Sequence, residues 1–82
     1  MNQTIVTAMQ LGQILRSARR AKKLSQAQAA ARVGLSQSRL SALELDPASI
    51  TTEQLLALLG LYEIDLAVQS RATAARSSAT EW

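Results

Sequence analysis

The stretch Ser25-Gln26-Ala27-Gln28-Ala29-Ala30-Ala31-Arg32-Val33-Gly34-Leu35-Ser36-Gln37-Ser38-Arg39-Leu40-Ser41-Ala42-Leu43-Glu44 decides the fold. Ser25 and Gln28 have the spacing of a capping box, in which a helix-opening hydroxyl and the amide three residues on satisfy each other's free backbone N–H. The alanine run 27–31 then propagates a helix. Gly34 ends it as a left-handed stop. Only two residues later Ser36 caps a second helix, with Leu35 and Leu40 spaced as its hydrophobic staple. Leu40 and Leu43 form the buried stripe of that second helix. Gln37, Ser38, Arg39, Ser41 and Ala42 are left to face outward.

Similar punctuation recurs on either side. Thr7 with Gln10 opens an earlier helix, with Val6 and Leu11 placed as a staple. Leu11, Ile14, Leu15, Ala18 and Ala21 recur at three- and four-residue steps. Arg19, Arg20, Lys22 and Lys23 crowd its last turn, where cations suit the helix dipole. Downstream, Asp46-Pro47 closes the second central helix, because proline disfavours helix in the residue before it. Thr51 with Gln54 opens a further helix, the most apolar one, carrying Leu55, Leu56, Leu58 and Leu59 and ending at Gly60. There the period changes. Tyr62, Ile64, Leu66 and Val68 alternate with Glu63, Asp65, Ala67 and Gln69, the pattern of a half-buried strand over residues 62–70. A lone strand is not stable alone. The economical partner is the same strand of a second copy across a two-fold axis, though the N-terminal arm is also available. The domain reading is an arm over 1–6, a helical and dimerising domain over 7–70, and a polar tail over 71–82 ending in Trp82.

Composition narrows the function. Eighty-two residues suit one small domain. Cysteine and histidine are both absent, which removes the thiolate nucleophile, the usual general base and the usual metal ligands. Clustered carboxylates are also lacking. Catalytic, metal and cofactor sites are therefore not expected, nor is a small-molecule substrate. Only Tyr62 and Trp82 are aromatic, so a base-stacking platform of the single-strand-binding kind is not expected. The net charge of +3 is unevenly placed: residues 1–39 hold seven Lys and Arg and no Asp or Glu, whereas residues 40–82 hold two against six. A basic half suits a polyanion. No run approaches the length of a membrane span, and MNQTIVTAMQ lacks the positive start of a secretory signal. The expected location is cytoplasmic.

Two short helices joined through a glycine make a helix-turn-helix. Ala30 is small where the helices cross, and Gly34 follows four residues later at the sharp turn. With these residues in place, the chain resembles the Xre, phage-repressor-type family over residues 7–62, departing at Ala29, where that family usually has leucine. The loss there is of core volume. The resemblance implies a mainly α, four- to five-helix, lambda-repressor-like domain that binds double-stranded DNA. A narrower resemblance is to HipB-like antitoxins of HipA-type kinase toxin systems. It rests on the strand-like 62–70 segment following the last helix, on the register of Gly34, Gln37 and Asp46-Pro47, and on the Glu81-Trp82 end. It implies a bacterial repressor that dimerises through the C-terminal strand, controls its own operon and binds a kinase toxin.

The outward face of the second central helix is suited to the major groove. Gln37 can pair with adenine and Arg39 with guanine or a phosphate; Ser38 and Ser41 can bond to either bases or phosphates. Gln26 is expected on a backbone phosphate, as its counterpart is in the family, together with Ser36, Arg32, Lys22 and Lys23. For the three cations, a solvated charged face is the plain alternative, and for Ser36 a cap alone. Tyr62, Ile64, Leu66 and Val68 are assigned to the dimer interface and Trp82 to a partner anchor, tryptophan being enriched at binding hot spots. A homodimer calls for a palindromic operator. Two other readings stay open: a stand-alone Xre or prophage-type regulator without a toxin, and a helical adaptor that binds protein rather than DNA.

Overall fold

The computed structural model describes residues 3–70. Four helices run in chain order: α1 (Ala8–Ala21), α2 (Gln26–Arg32), α3 (Gln37–Leu45) and α4 (Thr52–Tyr62), with a single 3₁₀ turn at Pro47–Ser49 between the last two. All three expected capping boxes are formed. The Thr7 hydroxyl accepts from Gln10 N at 3.1 Å while the Gln10 amide accepts from Thr7 N at 3.0 Å. Ser25 with Gln28 and Thr51 with Gln54 repeat the arrangement. Ser36 caps α3 by accepting from Arg39 N. The staple expected before α1 is not closed. Val6 stays 72% exposed, and its N–H donates to the Gln10 side chain instead.

Three of the four helices, α1, α2 and α4, end on one device, whereas α3 stops at Asp46 before Pro47 as expected. Lys23, Gly34 and Glu63 all adopt a left-handed backbone, with φ of +59°, +74° and +60°. At each, the next N–H folds back onto the helix: Leu24 N to Arg19 O, Leu35 N to Ala30 O and Ile64 N to Leu59 O. This is the 6→1 bond of a Schellman stop, with its companion apolar residue after the turn. Leu24, Leu35 and Ile64 all pack, partly buried, against the core. The third stop corrects the sequence reading twice. Gly60 does not end α4, which continues to Tyr62 before Glu63 turns the chain. Tyr62 is therefore helical and sits in the core of its own protomer at 2% exposure, rather than at a dimer seam.

Among the described residues there is no strand, and 64–70 has no regular secondary structure. Its alternation has a partly local cause. Ile64 points inward because it completes the α4 stop, while Leu66 and Val68 stand exposed at 56% and 81%. Trp82 and the rest of the expected tail lie outside the described residues.

The core draws on every helix: Leu15 from α1, Ala29 and Ala30 from α2, Leu40 from α3, and Leu58, Leu59 and Tyr62 from α4. Ala29 is fully buried, so the place where the family usually has leucine is a closed core position. On α1 the buried stripe differs from the expected one. Ala21 is exposed, and Gly12 and Arg19 are buried. Gly12 lies against α3: a Cβ built there meets Glu44 O at 2.6 Å and the Pro47 ring at 3.1 Å. Only glycine allows α1 to approach the end of α3 this closely. Among the described residues no helix is long and apolar enough to cross a membrane.

Candidate nucleic-acid interface

The turn between α2 and α3 is short and backbone-locked, so the two helices present one continuous surface. Their outer side is an open groove of about 550 Å³, lined by Gln26, Gln37, Ser38, Ser41, Ala42 and Leu45. Gln37 and Ser38 are exposed at the start of α3, and Ser41 is partly exposed one turn on. Leu40 and Leu43, on the opposite side of the same helix, are fully buried. The helix thus turns amide and hydroxyl groups outward. These are groups that can donate and accept, as base-edge readout requires.

Of the expected base-reading set, the structure brings Gln37, Ser38 and Ser41 together with Gln26, and leaves Arg39 apart. Arg39 is partly buried, and its guanidinium donates to Ser49 Oγ at 3.1 Å, Ser49 O at 3.0 Å and Gln54 Oε1 at 3.3 Å. It braces α3 against the entry to α4. To touch a base it must release three hydrogen bonds. Ala42 and Leu45 line the groove without having been expected as DNA contacts; Leu45 is 73% exposed.

The expected phosphate contacts divide as well. Ser36 is exposed at the α3 cap. Arg32 is exposed on the outer face of α2 beside Gln28 and Ala31, and Lys23 is exposed at the left-handed end of α1. Lys22 instead pairs with Glu63, linking the ends of α1 and α4. The Lys22 hydrogen bond, aided by its charge, holds the Glu63 carboxyl below its ordinary value. Lys22 is therefore partly neutralised where a free cation was expected. Gln28 serves the α2 capping box.

Sequence reasoning missed the centre of the site. Arg19 and Glu44 form a buried, two-pronged ion pair: Nε to Oε2 at 2.6 Å and an NH2 nitrogen to Oε1 at 3.1 Å. The remaining guanidinium nitrogen donates to Leu24 O at 2.8 Å. Glu44 Oε1 also accepts from Gln26 Nε2 at 3.1 Å. The hydrogen bond to Glu44 raises the Arg19 pKa further above its ordinary value, against the opposing effect of burial. Burial, reinforced by the Glu44 charge, pushes the Tyr62 hydroxyl up to about 12. That hydroxyl makes no hydrogen bond among the described residues. A signal for the pair was present. Arg19 stands four residues after Leu15, and Glu44 four after Leu40, so each stripe carries one charge of opposite sign.

Comparison with known proteins places this arrangement. Residues 15–69 match the model of the Helix-turn-helix family HTH_3. No curated protein matches the chain in sequence. Among solved structures, the fold is similar to a chain of a HipA-HipB-O2-O3 complex, with a TM-score of 0.75 and 22% identity over 84% of this chain and 97% of that one. A HipB chain in an O2 20mer complex gives 0.76 and 23% over 85% and 97%. A HipB chain in an O1-O2 complex gives 0.75 and 22% over 84% and 100%. At this identity the likeness concerns the fold. Since the family match spans well over half of its length, the chain belongs to the helix-turn-helix family and is a DNA-binding regulator, not an enzyme, with a HipB-like fold.

Proposed function

We propose that the chain is a sequence-specific repressor that binds double-stranded DNA as a homodimer on a palindromic operator, and that it is the antitoxin of a HipA-type kinase toxin, repressing its own operon. The observation that carries the reading is the open groove on α2 and α3, with Gln37, Ser38 and Ser41 exposed along it beside Gln26. In this reading α3 lies in the major groove with its first turn nearest the bases. Gln26 and the α2 N-terminus hold a phosphate, aided by Ser36, Arg32 and Lys23. Lys22 joins them only by leaving Glu63, and Arg39 only by leaving Ser49 and Gln54.

Dimerisation through this segment is supported by residues 65–70, which have no backbone hydrogen bond among the described residues, and by Leu66 and Val68, exposed on one side of the alternation. Pairing with a second copy covers both. The toxin partner is supported by the HipB-like fold, HipB having been solved in complex with HipA, and by the resemblance at Glu81-Trp82, with Trp82 as anchor. The work of such a protein is cytoplasmic, on the nucleoid.

A mobility-shift assay on the DNA upstream of its own gene tests the DNA reading. Binding is expected to fall steeply with salt, as phosphate contacts release counterions. No shift at low salt refutes it in favour of a protein-binding adaptor. A pull-down with an N-terminal tag, with and without Trp82, tests the antitoxin reading. Recovery of a kinase supports it, and loss of that kinase without Trp82 assigns the anchor. Recovery of only DNA and the chain itself makes it a stand-alone regulator.

A further inference from the structure

The groove residue Gln26 is not free. Its amide nitrogen is tied to Glu44 Oε1, and Glu44 is itself held by two bonds from Arg19. The Arg19 and Glu44 side chains are 9% and 3% exposed, whereas Gln26 is partly exposed and lines the groove. A buried, fully engaged carboxylate thus reaches outward through one surface amide.

We propose that Glu44 is a positioning residue for DNA binding: it fixes the Gln26 side chain in one orientation, with its second N–H directed to a backbone phosphate. This rests on the DNA-binding reading above. The chemistry favours a carboxylate in this role. A carboxylate only accepts hydrogen bonds, so it selects the nitrogen end of the amide and leaves the donor end shared between Glu44 and the outside. The charge on Glu44 strengthens that bond. Arg19 in turn holds both Glu44 oxygens in place within the core. A flexible glutamine loses side-chain entropy when it grips a phosphate; here that loss is incurred on folding.

The test compares the full-length chain with Gln26→Ala, Glu44→Gln and the double variant, measuring affinity for its operator well below each protein's melting temperature. Gln26→Ala is expected to weaken binding roughly tenfold or more per half-site, the loss of one hydrogen bond to a charged group. Glu44→Gln is expected to match it, and the double variant to lose no more than either. Wild-type affinity in folded Glu44→Gln overturns the proposal, since a merely structural residue changes melting and not binding. Wild-type affinity in Gln26→Ala overturns it too, while leaving DNA binding itself intact. Failure of the wild-type chain to bind any DNA refutes the parent reading and this one with it. If Glu44→Gln does not fold, side-chain amide NMR of the wild-type chain decides. A single Gln26 rotamer with slowly exchanging amide protons supports the hold by Glu44, and rotamer averaging overturns it.

Discussion

Replacing Gly12 by alanine is expected to destabilise the domain even though alanine is the better helix former. The added Cβ meets Glu44 O at 2.6 Å, the Pro47 ring at 3.1 Å and Glu44 C at 3.2 Å. Two of the three are backbone atoms and the third belongs to a ring, so no rotamer change relieves them. Helices α1 and α3 must separate by several tenths of an ångström. Overpacking of this kind costs about 1–3 kcal/mol, and the gain in helix propensity is about 1 kcal/mol. The net loss is then up to about 2 kcal/mol, or up to about 15 °C in Tm for a domain of this size. Gly60→Ala is the internal control, because nothing lies within 4 Å of its added Cβ. It collects the propensity gain alone and is expected to stabilise by about 0.5–1 kcal/mol. Urea denaturation followed by circular dichroism reads both from the midpoint at unchanged slope. Equal stabilisation by the two alanines refutes the close α1–α3 contact.

Glu44→Leu alone leaves the buried Arg19 charge unpaired and is expected to cost about 3–5 kcal/mol, whereas Arg19→Met combined with Glu44→Leu restores most of it; calorimetry of Glu44→Leu, Arg19→Met and the double variant separates these outcomes, and an additive loss contradicts the pairing. Lys23→Gly is expected to stabilise by up to about 1 kcal/mol by relieving a left-handed side-chain-bearing residue, and Gly34→Ala to destabilise by about 1–2 kcal/mol for the converse reason; denaturation midpoints moving the other way count against the assigned backbone. The Glu63 carboxyl has a lowered folded pKa, so its stabilisation is present above the ordinary 4.5 and is lost as the pH falls through the folded value. The stability difference between wild type and Glu63→Gln is therefore expected to vanish in acid and to shrink in high salt; a difference that grows in acid contradicts the Lys22 pairing.

The helix starts were legible because each is written in four consecutive residues: a hydroxyl cap and, in three of the four, a glutamine at a fixed offset. The stops were legible at Asp46-Pro47, which closes α3, and at Gly34, which ends α2 in a left-handed backbone. Lys23 and Glu63 adopt the same left-handed backbone with side chains that give no hint of it, so α4 was read as ending at Gly60. Tyr62 was misplaced for a related reason. A helix end followed by the inward Ile64 imitates the alternation of a strand. In the site, residues whose role is to face outward were recovered from helical periodicity, as Gln37, Ser38 and Ser41 show. What escaped depends on contacts distant in sequence. Arg19 meets Glu44 across 25 residues, and Arg39 finds Ser49 and Gln54 instead of the groove.

The three left-handed stops also bear on how the chain reaches this structure. Each is closed by a hydrogen bond spanning five residues, from Arg19 to Leu24, Ala30 to Leu35 and Leu59 to Ile64. Such bonds form on the timescale of helix growth, about 0.1–1 μs, before distant segments have met. The direction in which the chain leaves α1, α2 and α4 is thus settled locally, and the apolar residue after each turn is already aimed at the helix it has just left. The remaining search is the docking of short rods with preset exits, a topology rich in local contacts that folds in microseconds to milliseconds.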